Sequence, residues 1–300
     1  MKKFAKPLLY IAAALAVLAL LAVSFVYFSS RAALRKEFRV AVRPVAIPSG
    51  ADALARGRHL AETRGCNDCH GADYGGARVI DDGAMGRLHG PNLTRGRGGR
   101  VATFSDDDWV RAIRHGVGPD GKGLLIMPSL EYSQLSDDDL GELIAYLRTV
   151  PAVDRDRVPT THGPVTRVLL TASPEKMIAA NAIDHAHAGP PAVPKGPTVA
   201  YGKYLSAGCI GCHGPNLSGG KIEVGPPDWP LAANLTPHPD GRLAKWSEED
   251  FISVLRTAKR PDGSAVNPVM PAVFGRMDDI ELKALYAYLR SLAPAALGQR

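Results

Sequence analysis

The sequence Cys66-Asn67-Asp68-Cys69-His70 has the spacing C-x-x-C-H, which is typical of covalent attachment of a c-type haem. Each thiol can add to one of the two haem vinyl groups, and two intervening residues let both sulfurs reach their vinyl carbons from one helical turn. The histidine that follows then directs its imidazole at the iron. The pattern recurs as Cys209-Ile210-Gly211-Cys212-His213, and the two motifs contain all four cysteines of the chain. The sequence therefore predicts two covalently bound haem c groups.

A C-x-x-C pair has two other common uses in proteins. A zinc knuckle needs a second ligand pair, and each cluster here has only one further histidine at the right offset. A thioredoxin-type redox pair belongs in a βαβ pattern, and the sequence shows no such pattern. Two motifs in the same local setting favour haem over both alternatives.

The amino terminus carries a candidate membrane helix. Lys2, Lys3 and Lys6 precede an uncharged apolar run at 7–28, which is long enough to cross a bilayer as a helix. A cleaved signal peptide has a shorter apolar core and a small-x-small cleavage site, whereas this run ends in bulky residues at 25–28. We therefore expect an uncleaved signal-anchor over residues 1–30, with a cleaved signal and a buried core helix as the alternatives.

The location of the chain follows from the haem motifs. Basic residues lie on both sides of the apolar run, so the positive-inside rule does not fix its orientation. Covalent haem attachment in bacteria takes place on the periplasmic side. We therefore expect a single-pass protein of the cytoplasmic membrane with its haem domains in the periplasm. The formal net charge is +6, but the absence of a basic helix argues against a nucleic-acid partner.

The chain contains one unit written twice. From the haem motifs onward, matching residues are 142 or 143 positions apart, and the interval from His70 to Met127 equals that from His213 to Met270, 57 residues in each case. The other matching segments, first copy before second, are 57–60 with 202–205, 91–94 with 233–236, 104–109 with 246–251, 119–121 with 261–263, and 145–148 with 287–290.

Each copy has a helical pattern. Ser105 and Ser247 stand where a helix should begin, each with an aspartate three residues later, which resembles a capping box. No stretch shows sustained alternation of period two, so we predict an all-α chain with little sheet. The predicted divisions are a signal-anchor at 1–30, a stalk at 31–48, a first domain at 49–152, a Pro-rich linker at 153–197 with a short helix near 175–183, and a second domain at 198–300.

The sixth iron ligand distinguishes a carrier from a catalyst, because a haem with both axial positions filled has no open position for a substrate. Met127 and Met270 are the candidates: each precedes a proline and stands at the same distance from its histidine. Their alternative role is core packing. A thioether opposite histidine raises the reduction potential, which suits a carrier. Met85, Met177 and Met277 have no such partner in the repeat, and we assign them to packing or to the surface.

The remaining histidines do not recur in both copies, so each is expected to be a surface or hydrogen-bonded residue. His185 and His187 in the linker are the next candidates if Met127 is not a ligand. Asn92 and Asn234, in the repeated Asn-Leu-Thr, have two open roles. They can hydrogen-bond a haem propionate, or they can shape a turn.

These motifs resemble the class I cytochrome c fold in tandem, over about residues 50–152 and 198–296. The fuller signature is similar to the membrane-bound cytochrome c subunits of periplasmic alcohol, aldehyde and gluconate-type dehydrogenases. Those subunits usually carry three haem domains, and this chain carries two. The resemblance implies haem attachment by Cys66, Cys69, Cys209 and Cys212, proximal ligation by His70 and His213, and distal ligation by Met127 and Met270.

The sequence thus predicts a dihaem electron carrier with no catalytic residues of its own. The family implies a relay from a dehydrogenase or quinol donor towards a downstream acceptor or oxidase. A dihaem enzyme such as a cytochrome c peroxidase is the alternative. It would need one haem with an open site, and the two ligand sets show no such asymmetry. A haem-based sensor is a third possibility, but no output domain precedes the anchor.

Overall fold

The computed structural model describes residues 2–186, 189–223, 225–226 and 228–299. Helices dominate these residues, and the sheet is small. The α-helices are α1 (Lys2–Arg35), α2 (Ala51–Thr63), α3 (Cys66–His70), α4 (Asp106–His115), α5 (Ser129–Tyr132), α6 (Asp137–Thr149), α7 (Pro164–Ala172), α8 (Pro174–Met177), α9 (Val199–Leu205), α10 (Ile210–His213), α11 (Glu248–Thr257) and α12 (Asp279–Ser291). Short 3-10 helices include Ser206–Gly208 and Ala272–Arg276.

Helix α1 continues beyond the predicted apolar run. Within the described residues, Lys6–Arg35 is the one helix that is long and apolar enough to cross a membrane, with a mean hydropathy of 2.6. Its last turns pack against α7: the Thr171 hydroxyl donates to the Val26 carbonyl at 3.3 Å, and the Arg167 guanidinium lies 4.9 Å from the Tyr27 ring centroid. The end of α1 is therefore fixed against a helix of the predicted linker.

The first unit, residues 51–149, is built on the packing of α2 against α6. Glycine is required at the crossing, because a Cβ on Gly57 would lie 2.0 Å from the Glu142 carbonyl oxygen. An apolar cluster that includes Leu60, Trp109 and Leu140 fills the space between the helices. The predicted capping box opens α4, where Ser105 accepts from the Asp108 backbone N–H.

The second unit, residues 199–291, repeats this packing with α9 and α12. A Cβ on Gly202 would lie 1.9 Å from the Ala284 carbonyl oxygen, so the repeated glycine has the same role in both units. Ser247 and Asp250 form the predicted capping box of α11. An apolar cluster that includes Phe251, Leu282 and Leu289 forms the core. The local helix signals of the two copies thus produce matching helices.

The prediction of an all-α chain is confirmed only in part, because the first unit contains a β-hairpin. Strands β1 (Ala77–Asp82) and β2 (Gly86–Gly90) pair antiparallel, and β3 (Thr161–His162) from the linker adds to β2. A Cβ on Gly86, whose φ is +92°, would lie 2.5 Å from the Thr161 carbonyl oxygen. The strands are short and β3 is distant in sequence, so neither alternation nor local turn signals indicated the sheet.

The linker holds more helix than its prolines indicated. Helix α7, which the sequence did not predict, begins at Pro164, where proline is tolerated because the first helical N–H has no intrahelical partner. The short helix predicted near 175–183 is present as α8 and the 3-10 helix Ala179–Asn181. Leu170, Met177 and Ile178 from this segment form a third apolar cluster with Val117 of the first unit. The linker is therefore packed on the first unit.

A reciprocal set of hydrogen bonds joins the two units. His59 Nε2 and Glu281 Oε2 lie 2.6 Å apart, and the Tyr204 hydroxyl donates to Asp139 at 2.5 Å. In the repeat, His59 corresponds to Tyr204 and Asp139 corresponds to Glu281. Each unit thus gives one donor and one carboxylate to its counterpart, as in an isologous dimer interface. Arg56 lies between the pairs and donates to both Asp139, at 3.2 Å, and the Tyr201 hydroxyl, at 3.4 Å.

Candidate haem-binding sites

Both cysteine motifs form short helices, as their proposed chemistry requires. Helix α3 begins at Cys66 after Gly65 in the left-handed conformation, and α10 follows Cys209, which stands at its N-cap. No disulfide joins any of the four cysteines. Burial raises the pKa of Cys66 and of Cys209 to about 12. The raised pKa reflects the apolar clusters against which both side chains pack.

The motif histidines are fixed by carbonyl groups of the loop that follows. His70 Nδ1 lies 2.9 Å from the Pro91 carbonyl oxygen, and His213 Nδ1 lies 2.7 Å from that of Ala233. Because a carbonyl only accepts, Nδ1 must carry the proton, which leaves the Nε2 lone pair of each ring for another partner. Burial lowers the pKa of both imidazoles, so the neutral form is favoured. A neutral imidazole with its far nitrogen anchored is the usual state of a metal ligand.

These two carbonyls were missed by the sequence analysis, although a signal for them existed. Pro91 and Ala233 each immediately precede the repeated Asn-Leu-Thr. The Asn92 amide donates to the Val153 carbonyl at 2.8 Å and accepts from the Thr94 backbone N–H at 2.8 Å.

The second copy repeats this arrangement. The Asn234 amide donates to the Ala295 carbonyl at 2.7 Å and accepts from the Thr236 N–H at 2.9 Å. These bonds favour the turn interpretation of the asparagines over the propionate interpretation. The repeated motif holds the loop that orients each histidine.

The candidate distal methionines lie on irregular segments of their units. Met127 is half-buried and packs against the same apolar cluster as Cys66. Met270 is half-buried, and its backbone N–H donates to the Asn267 carbonyl at 2.9 Å. Met277 and Met177 are buried, at 1% and 6% exposure, inside apolar clusters. Met85, the third methionine assigned to packing or to the surface, is half-buried like Met127 and Met270 and packs against the third apolar cluster, so exposure alone does not separate the candidate ligands from the others.

The linker histidine His185 does not lie alone. Its Nε2 contacts the Ala180 carbonyl at 3.0 Å, and its Nδ1 lies 3.1 Å from Nδ1 of His115. Since Nε2 donates to a carbonyl, a neutral His185 accepts at Nδ1 and His115 donates. Burial, the neighbouring His185 and two arginines lower the pKa of His115 to about 4. Both ring nitrogens of His185 thus have hydrogen-bond partners, one of them the neutral His115. His187 lies outside the described residues.

The two attachment segments approach each other across the interface between the units. Arg64 is the C-cap of α2, two residues before Cys66, and its Nη1 lies 3.7 Å from the position of a Cβ on Gly208, one residue before Cys209. Val273 of the second unit in turn lies 3.7 Å from the position of a Cβ on Gly65, one residue before Cys66. Glu131 Oε1, in the segment after Met127-Pro128, lies 2.6 Å from the position of a Cβ on Gly211. The segment that follows each Met-Pro therefore lies near the haem motif of the other unit.

The residues present fit a c-type haem at both motifs. Each site offers two cysteine side chains and an imidazole with a free Nε2 within five consecutive residues, together with a partly accessible thioether in the same unit. A haem bound there would supply one-electron chemistry at its iron. The contribution of the protein is to orient the imidazole through Nδ1 and to keep the thiols in an apolar environment.

Comparison with known proteins agrees with this geometry. The family model described as cytochrome c matches residues 199–293, and the model described as cytochrome c oxidase, cbb3-type, subunit III matches residues 52–147. The fructose dehydrogenase cytochrome subunit of Gluconobacter japonicus is 28% identical over 273 residues, which cover 82% of this chain and 54% of that protein. The gluconate 2-dehydrogenase cytochrome c subunit of Pantoea cypripedii is 27% identical, with 80% and 60% covered.

A smaller relative matches over most of both lengths. The diheme cytochrome c-type protein of Cereibacter sphaeroides is 25% identical over 263 residues, which cover 79% of this chain and 84% of that protein. By contrast, the chain spans little more than half the length of the dehydrogenase subunits that it matches.

Proposed function

We propose that this chain, which belongs to the cytochrome c family through both of its haem-motif units, is a membrane-anchored periplasmic dihaem electron carrier. It relays electrons from a dehydrogenase or a quinol donor to a downstream acceptor or oxidase. The observation that carries this proposal is the presence of two matching sets of groups. Each has two cysteines, a histidine held through Nδ1 by a loop carbonyl, and a methionine 57 residues later.

The proposed assignments follow from that repetition. Cys66, Cys69, Cys209 and Cys212 attach two haem c groups by thioether bonds. His70 and His213 ligate iron through Nε2, and Met127 and Met270 supply the opposite ligands. The domains extend over 49–152 and 198–300, each as a class I cytochrome c, with the segments 31–48 and 153–197 as stalk and linker.

Full axial coordination separates a carrier from the dihaem peroxidase alternative. An enzyme of that kind needs one iron with an exchangeable position. Both histidines here have the same anchoring, and both methionines occupy equivalent half-buried positions. A histidine–methionine pair also favours reduced iron and raises the potential. No observation in the described residues distinguishes the two sites in the way a peroxidase requires.

The partner class rests on the relatives. Several are named as cytochrome subunits of fructose, alcohol and gluconate dehydrogenases. The partner that we propose for this chain is therefore a periplasmic dehydrogenase or quinol-oxidising complex, and a separate protein accepts the electrons. The chain spans little more than half of those subunits, so the proposal takes from them the class of partner and not their whole activity.

The anchor is supported by the division of α1 into two parts. Val26, Tyr27 and Ser30 contact α7, which leaves residues 6–25 free of these contacts. A segment of about 20 apolar residues is the length that crosses the hydrocarbon core. The contacts with α7 then hold the haem units close to the membrane surface.

Purification of the full-length chain from membranes tests the proposal. The intact mass should show two covalent haems, alkaline extraction should leave the chain in the membrane, and a periplasmic dehydrogenase or oxidase should co-purify. Addition of that dehydrogenase with its substrate should reduce both haems. One attached haem, release by alkaline extraction, or peroxide turnover with a reduced cytochrome would contradict the respective part of the proposal.

A further inference from the structure

The contact between the two attachment segments contains the cationic side chain of Arg64. Arg64 Nε is buried and makes no hydrogen bond to any residue within the described ranges. Its neighbouring Nη1 reaches the second unit near Gly208. A buried donor without an acceptor is costly, and native proteins contain few of them. Arg64 as a whole is half-buried, so its guanidinium lies partly inside the contact between the two units.

This position is adjacent to both haem motifs. Arg64 is joined to Cys66 through Gly65 alone, and on the other side it approaches Gly208, whose next residue is Cys209. The Tyr132 hydroxyl donates to the Arg64 carbonyl at 2.9 Å and fixes the backbone at this point.

We propose that Arg64 is a shared electrostatic control residue that raises the reduction potentials of both haems, one in each unit. The inference rests on the proposed function, because it requires a haem attached at each motif. An oxidised haem carries one more positive charge than a reduced haem, so a nearby cation favours reduction. The effect reaches both irons because the same guanidinium lies beside both attachment helices and in partly buried surroundings, where charges are screened less than in water.

The repeat makes Arg64 specific to the first unit. The residue equivalent to Arg64 in the second copy is Ala207, at the offset of 143 that also pairs Cys66 with Cys209. Two independent domains would each need a cation of their own to obtain this effect. Here one arginine at the interface serves both, so a change in the first unit should alter the potential of the haem in the second.

Redox titration of the full-length holoprotein in detergent tests the proposal. Arg64→Met keeps the length of the side chain and removes its charge, and Arg64→Gln is a second neutral variant. Arg64→Lys retains the charge, and Arg39→Met removes an exposed arginine from the predicted stalk. Both midpoint potentials should fall in the neutral variants, remain near the wild-type values in Arg64→Lys, and stay unchanged in Arg39→Met.

The outcomes separate this inference from the function on which it rests. Haem content and the low-spin spectrum are measured on every variant before titration. A wild-type chain with fewer than two attached haems refutes the proposed function. The assignment of Arg64 alone is refuted if both haems are attached and low-spin but their potentials do not change with the charge at residue 64. It is also refuted if only the potential of the first haem shifts.

Discussion

The hydroxyl of Tyr204 offers a direct test of how the two units are held together. It donates to Asp139 at 2.5 Å and accepts from the Ser136 backbone N–H at 3.1 Å. All three residues are buried, with exposures of 9%, 7% and 3%. Tyr204→Phe keeps the ring and removes both hydrogen bonds, so its effect reports on the hydroxyl alone.

The magnitude follows from the two bonds that are lost. A hydrogen bond to a charged group contributes about 1.5–3 kcal/mol, and a buried N–H left unpaired costs about 1–3 kcal/mol. Asp139 keeps its ion pair with Arg56, at 3.2 Å, which limits the loss at the carboxylate. We therefore expect Tyr204→Phe to lower the free energy of unfolding by about 2–4 kcal/mol.

Urea unfolding of the full-length holoprotein in detergent, followed by far-ultraviolet circular dichroism, measures this change. Tyr288→Phe is the matched control, because the Tyr288 hydroxyl makes no hydrogen bond to a described residue, and its effect should stay within about 0.5 kcal/mol. A double-mutant cycle with Asp139→Asn should give a coupling energy above about 0.5 kcal/mol. If Tyr204→Phe behaves like Tyr288→Phe, the reciprocal hydrogen bonds do not join the units.

Three further changes have expected results. Although burial opposes ionisation, hydrogen bonding to His59 leaves the pKa of Glu281 below its ordinary value of 4.5. The ionised carboxylate therefore contributes stability that is present above pH 4.5 and is lost as the pH falls through the lowered pKa. Glu281→Gln should lower the free energy of unfolding at neutral pH and show less acid destabilisation than wild type in parallel urea titrations. Met270→Ala should make the second haem high-spin and lower its potential while the haem remains covalently bound, whereas Met277→Ala should leave the spectrum unchanged and cost about 2–5 kcal/mol of stability; an unchanged spectrum in Met270→Ala would remove Met270 from the ligand set. Cys209→Ala should weaken attachment at the second site only, and intact mass with two fully retained haems would contradict it.

Local signals account for the parts of the fold that the sequence predicted. The capping serines at 105 and 247 and the glycines at 57 and 202 act within a few residues or at one helix crossing. Because each occurs twice, the repeat distinguished them from chance. The sheet was not predictable in this way. Strands β1 and β2 are only six and five residues long and pair with an irregular register, and β3 comes from the linker and pairs with a strand more than 70 residues earlier.

The sites were predictable as residue types but not as a mutual arrangement. The repeat identified the cysteines, histidines and methionines, and the structure adds the carbonyls that orient His70 and His213. The bond from His59 to Glu281 was not expected, although the repeat aligns His59 with Tyr204 and Asp139 with Glu281. Such a contact joins separate units, so it depends on how they dock rather than on either unit's own sequence pattern.

The central claim is that each iron is held by a nitrogen on one side and a sulfur on the other, which leaves no position for a substrate. Exposure of the dithionite-reduced, full-length protein to carbon monoxide at neutral pH tests it most directly. We expect the absorption spectrum of neither haem to change. Rapid binding of carbon monoxide, at one equivalent per haem, would contradict it.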